Sequence, residues 1–216
     1  IRENPSIRYY ITSDGTQIYD KHAGDVIWEK KISAETSKWV LDELYKHDVC
    51  LMLHNDVNSY TDKALDDDAI YARLNMSKAW MEQIRATNKY VDNFKEFVYG
   101  MEGYQMVCAF FADPNALREC KALFSDHPEL TVVQSDPNDL EIYCRQAGKG
   151  KAMRALAETL GFPYKQSVAV GDSTNDREMI VYAGLGLAVE NSVPELKEKA
   201  DFILCDNDNH AISQIV

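Results

Sequence analysis

A short apolar run, Val168-Ala169-Val170, ends in Gly171-Asp172-Ser173-Thr174-Asn175-Asp176. Asp172 offers a hard anionic oxygen of the kind that suits Mg²⁺. Asn175 can donate to a phosphate oxygen, and the free backbone N–H groups of a helix start favour anions. Asp176 can meet a metal through water or orient its neighbours. The same residue types are preferred helix caps, so an acidic N-cap is the plain alternative. Twenty-three residues before Asp172 lies Lys149, within Gly148-Lys149-Gly150-Lys151-Ala152. Glycines at a helix start let the backbone approach a ligand. Lys149 can there neutralise a phosphoryl group or a metal-bound carboxylate. Alone, this segment reads as two solvated lysines. Together the two segments are far more specific.

The elements that must carry these residues follow from local pattern. Lys151 to Leu160 reads as a helix, with Ala152, Met153, Leu156 and Leu160 on one side and Gly161 as its stop. Apolar strands are predicted at 167–170, 185–189 and 202–204, with helices at 175–183, after Ser192 and at 210–215. Ser192-Val193-Pro194-Glu195 has the form of a capping box with proline in the first turn. Short, wholly apolar strands alternating with helices imply a parallel sheet covered on both faces. Upstream, strands are predicted at 8–12, 26–32, 50–54, 104–111, 130–134 and 140–144, with helices at 33–46 and 114–125. The acidic stretch 55–75 reads as loop, and 76–99 as mixed helix and turn. The expected organisation is an α/β core of residues 1–19 and 147–216, with an α+β domain at 20–146 inserted into it.

Composition narrows the partners. The 216 residues are 45% hydrophobic and 27% charged, a balance that can fill a core, and the net charge is −12. That charge argues against nucleic acid or an anionic membrane surface as the main partner. A small phosphorylated substrate remains compatible, because one lysine and a metal can reverse the local field. The five cysteines are scattered without a Cys-x-x-Cys pair, which suits reduced thiols in the cytoplasm. No apolar run approaches the roughly 20 residues that span a bilayer. The five histidines form no ligand pair, so zinc is not expected.

The segment QAGKGKAMRALAETLGFPYKQSVAVGDSTNDREMIVYAGLGLAVENSVPELKEKADFIL, 146–204, closely resembles the tail of the haloacid dehalogenase superfamily. Its nearest likeness is the Cof-type branch of small-metabolite phosphatases, subfamily IIB. The matching residues are Lys149-Gly150, Gly171-Asp172-Ser173-Thr174-Asn175-Asp176, Ala183-Gly184, Asn191-Ser192 and Ala200-Asp201. Upstream, ITSDGTQIYD at 11–20 resembles the family's Ile-x-x-Asn-Gly-Ala-x-Ile segment, with Asp14 at the usual Asn. The resemblance implies a Rossmann-like parallel-sheet core with an inserted α+β cap, whose closure would exclude water and choose the substrate. It also implies phosphomonoester hydrolysis through an aspartyl-phosphate. Asp172 would be a Mg²⁺ ligand, Lys149 the charge stabiliser, Asn175 a phosphate or substrate contact and Asp176 a support.

The family's Asp-x-Asp nucleophile motif and its Ser/Thr motif both lie before the cap, and no residue of this chain matches either. Ser13-Asp14-Gly15-Thr16 looks like the end of an Asp-x-Asp-Gly-Thr loop, but the nucleophile position falls on Thr12, which is no carboxylate. The resemblance therefore implies a family member lacking its first strand–helix region, inactive without it. Two alternatives stay open: a non-catalytic phosphate- or metal-binding relative, and a sugar phosphomutase. Neither the substrate nor the oligomeric state follows from the residues.

Overall fold

A computed structural model describes residues 4–74 and 76–215. The first three residues, Asn75 and Val216 lie outside it, including the ends of the expected core segments and of the expected polar loop. The chain forms two compact units: residues up to 29 with those from 147 onward, and residues 30–146. No described helix is long and apolar enough to cross a membrane.

The first unit contains a three-stranded parallel sheet of β10 (Val168–Gly171), β11 (Leu185–Val189) and β12 (Phe202–Leu204), in that order. Val168 pairs with Leu185 and Leu187 with Phe202. α6 (Lys149–Leu160) precedes β10, α7 (Arg177–Tyr182) connects β10 to β11, and α8 (Pro194–Lys197) connects β11 to β12. Ala169, Ile180, Ala183, Ala188 and Leu196 form a buried cluster between strands and helices. Gly161, in the left-handed conformation, ends α6 as its type and place predict. A separate antiparallel sheet in the same unit joins β1 (Tyr9–Thr12), β2 (Gln17–Asp20) and β3 (Asp25–Glu29). The expected boundary between residues 19 and 20 would cut this meander. β3 pairs with β2, so the break falls after Glu29.

The second unit is a six-stranded sheet, β6-β5-β4-β7-β9-β8, antiparallel except for β5 with β6. Its strands are β4 (Val49–Asn55), β5 (Asn58–Asp62), β6 (Asn88–Val91), β7 (Met106–Phe111), β8 (Leu130–Val133) and β9 (Asp139–Cys144). α1 (Ala34–Leu44) starts at Ser33, whose hydroxyl accepts from the Thr36 N–H. α5 (Pro114–Ser125) starts at Asp113 with Pro114 in its first turn, and packs on β7, β8 and β9. Residues 55–74 are not all loop. They hold β5 and α2 (Asp68–Arg73). Only Thr61 of β5 is buried, so pairing with β4 makes the strand and no apolar pattern announces it. The mixed stretch that follows resolves into α3 (Lys78–Thr87), β6 and α4 (Phe94–Tyr99).

Candidate active site

The candidate residues meet at the carboxyl end of β10. Ligands of open α/β sheets bind at such edges. Gly171 ends the strand because the loop folds back onto it: a Cβ there would sit 2.4 Å from that of Asp176. Asp176 is 3% exposed in its side chain and holds the loop together. Its Oδ2 accepts from the backbone N–H groups of Asp172 at 2.9 Å and Ser173 at 3.1 Å. Ser173 and Asp176 form a reciprocal capping box. The box expected at Ser192 is absent, because the Ser192 hydroxyl donates to the Gly171 carbonyl at 3.1 Å and Val193 takes the cap position.

The helix start expected at Asn175 is built from two shorter elements. Asn175 lies in a 3-10 turn, Thr174–Asp176, ahead of a six-residue α7. The backbone N–H groups of Asp172 and Ser173 already bond Asp176.

Lys149, the first residue of α6, donates to Asp176 Oδ1 at 2.7 Å. Sequence spacing separated these residues; the fold makes them an ion pair. Gly150 permits the approach of α6 to α7, since a Cβ would lie 2.7 Å from Glu178 Cγ.

Asp14 was not among the expected site residues, and the structure places it there. Ser13, Asp14 and Gly15 form a tight turn with φ of 48°, 52° and 83°. Gly15 presses on the start of α6: a Cβ would lie 2.3 Å from the Gly148 carbonyl carbon. The Gly148 N–H donates to the Gly15 carbonyl at 3.2 Å. That contact brings Asp14 Oδ1 to 3.0 Å from Asn175 Nδ2, which donates to it, and to 4.0 Å from Lys149 Nζ. The available signal was Asp14-Gly15 at the family's Asn-Gly position, in a turn that needs left-handed backbone.

The charges at hand are three carboxylates and one ammonium. Asp172 is exposed, and its carboxylate has no protein partner among the described residues. Asp14 Oδ2 and Asn175 Oδ1 are buried and lack a donor there, so each can accept from a water or a hydrated ligand. No group of three or more His, Cys, Asp or Glu side chains arranged to hold a metal ion by themselves occurs among the described residues. One unpaired carboxylate still fits Mg²⁺, which keeps several waters and takes other oxygens from phosphate.

Comparison with known proteins places the chain in a family. The haloacid dehalogenase-like hydrolase model matches residues 2–216, and the chain belongs to that family. A Bacillus subtilis 5-amino-6-(5-phospho-D-ribitylamino)uracil phosphatase is 34% identical over 113 residues, 52% of this chain and 39% of that one. An HMP-PP phosphatase from Cronobacter sakazakii is 29% identical over 195 residues, 87% of this chain and 65% of that one. The chain thus spans less than two thirds of the length of these curated relatives. A haloacid dehalogenase-like hydrolase from B. subtilis superposes with TM-score 0.78 at 24% identity, covering 96% of this chain and 78% of that one. A subclass IIB sugar phosphatase does so with TM-score 0.77 at 18% identity, covering 97% and 74%. These two likenesses show the fold, and the fold is the mixed α/β one that the motifs implied.

Proposed function

We propose that this chain carries most of the active site of a Mg²⁺-dependent phosphomonoester hydrolase for a small phosphorylated metabolite, a sugar phosphate being one such class. The observation that carries the reading is the cluster of Lys149, Asp172, Asn175 and Asp176 at the end of a parallel strand. In this reading Lys149 neutralises the phosphoryl oxygens, held in place by Asp176. Asn175 contacts phosphate or substrate with the amide hydrogen that Asp14 does not take. Asp172 holds Mg²⁺, which when bound supplies charge neutralisation at the phosphoryl group. The phosphatase names of the relatives, with small phosphorylated substrates in two of them, support the substrate class. Cys50, Cys120 and Cys144 are buried thiols outside any disulfide, which supports a cytoplasmic setting.

The attacking aspartate, in this proposal, comes from a segment outside these 216 residues. β10 is an edge strand among the described residues, and Val168, Phe202 and Ile203 of the same sheet are 46%, 66% and 50% exposed. Exposed apolar side chains on a sheet of this kind suit a further covering element. The test is Mg²⁺-dependent release of phosphate from p-nitrophenyl phosphate by the full-length protein. Release is expected, and the 216-residue chain alone should give none. Full-length activity no higher than that of its Asp172→Ala variant would refute the hydrolase reading. Phosphoryl transfer to a second sugar with little free phosphate would replace it with a mutase.

A further inference from the structure

Asp14 lies in the turn between β1 and β2, where a polar side chain ordinarily faces water. Here the side chain is only 12% exposed. The turn is locked from within: the Thr16 N–H and hydroxyl both donate to the Ser13 carbonyl, at 3.1 Å and 2.8 Å, and Thr16 is itself buried. Ser13 and Asp14 are both left-handed, a conformation that costs a residue with a side chain and persists only where its surroundings impose it. Aspartate suits such a turn when it bonds its own backbone. The hydrogen bond of Asp14 runs instead to Asn175, 161 residues away. Its other oxygen, Oδ2, is buried without a donor among the described residues, a cost that a carboxylate facing solvent avoids. Turn formation alone therefore does not account for this residue.

What it does follows from acceptor chemistry. A carboxylate accepts hydrogen bonds and offers none, whereas an amide has a donating end and an accepting end. Asn175 must therefore meet Asp14 with Nδ2, at 3.0 Å, and cannot present Oδ1 to it. One Nδ2 hydrogen is taken by Asp14 and the other remains for a ligand. The same Asp14 Oδ1 stands 4.0 Å from Lys149 Nζ, whose 2.7 Å bond goes to Asp176. A lysine ammonium rides on a flexible four-carbon stem, so two carboxylates beside it restrict where it can go. One oxygen of Asp14 thus acts on both nitrogen donors of the site.

We infer that Asp14 is a positioning residue: it sets the direction of the Asn175 amide and confines the Lys149 ammonium, so that both donors are oriented before a phosphoryl group arrives. Donors fixed in advance need no reorganisation when charge develops. The placement holds with or without activity, and its consequence for turnover rests on the hydrolase reading above.

The test compares Asp14→Asn and Asp14→Gly in the full-length protein. Both new residues tolerate left-handed backbone, so the turn can form in each. Glycine removes the carboxylate. Asparagine keeps an oxygen, loses the charge and no longer dictates which end of Asn175 faces it. A misplacement of about 1 Å can cost about 100-fold in rate. Accordingly kcat for p-nitrophenyl phosphate should fall about 100-fold in Asp14→Gly and about tenfold in Asp14→Asn, with KM within about threefold of wild type. NMR supplies a readout that needs no activity. The two side-chain amide protons of Asn175, assigned by their loss in Asn175→Asp, should exchange with water at rates about tenfold apart in wild type. The two rates should converge in Asp14→Gly and draw closer in Asp14→Asn. Circular dichroism checks that the variants are folded; if Asp14→Gly is not, Asp14→Asn decides both readouts. Equal exchange rates in wild type, or unchanged kcat in the folded variants, would overturn the proposal. So would a lower KM at unchanged kcat, the sign of a charge that merely opposed phosphate. A wild-type protein without Mg²⁺-dependent release would refute the hydrolase reading alone, and the exchange rates would still decide the placement.

Discussion

Asp176→Ala should be among the most damaging single changes in the 147–216 segment, and its cost can be worked from the contacts. The substitution removes the acceptor of the Asp172 and Ser173 N–H groups, at 2.9 Å and 3.1 Å. It also removes the 2.7 Å partner of Lys149. Each N–H bond to the carboxylate in this partly buried loop is counted at about 1 kcal/mol net, the typical value for a protein hydrogen bond and below the about 1.5–3 kcal/mol of charged acceptors, so the sum is a lower bound. The ion pair contributes less, about 0.5–1 kcal/mol, because the Lys149 side chain is 31% exposed and screened by water. The total is about 3 kcal/mol, which for a domain of this size lowers Tm by about 6–12 °C. Asp176→Asn keeps an oxygen for the two N–H groups and loses mainly the charge, so about 1 kcal/mol is expected. Calorimetry gives the stability difference, and amide hydrogen exchange at Asp172 and Ser173 gives the local cause. Exchange at both amides should accelerate in the Ala variant and much less in the Asn variant. A loss in Asp176→Ala within the ~0.5 kcal/mol typical of surface changes, with both amides still protected, would refute the reasoning.

Asp172→Asn should leave Tm within the range of surface substitutions, since the side chain is exposed without a partner, while calorimetric Mg²⁺ affinity falls about tenfold or more. Gly15→Ala should cost about 2 kcal/mol or more in denaturant unfolding, because a Cβ would meet Gly148 at 2.3 Å and φ is 83°. The Arg8 guanidinium, bonded to Asp20, holds that carboxyl at about 2, below its ordinary 3.8. A lowered folded-state value means that this pair contributes in full above about 4 and loses its contribution as pH falls toward 2. Unfolding curves of wild type and Arg8→Ala should therefore differ at neutral pH and converge near pH 2; a constant gap would contradict this assignment.

The residues themselves determined the architecture of the C-terminal segment. β10, α6 and β11 follow from apolar runs and glycine stops, because local period and backbone freedom are written into short stretches of chain. Lys149, Asp172, Asn175 and Asp176 were legible for the same reason: two recognisable motifs carry them. Pairing decided what the pattern could not. β5 is polar on most of its length and exists because β4 supplies its hydrogen-bond partners. Asp14 joins the site only because Gly15 can press against Gly148, a contact across more than one hundred residues of chain that no local spacing encodes. The amides of Asp172 and Ser173 are taken by Asp176, because a buried carboxylate needs donors and the nearest ones are in its own turn. The candidate chemistry was thus present in the residue types, and tertiary contact determined which groups face one another and which remain open to a ligand.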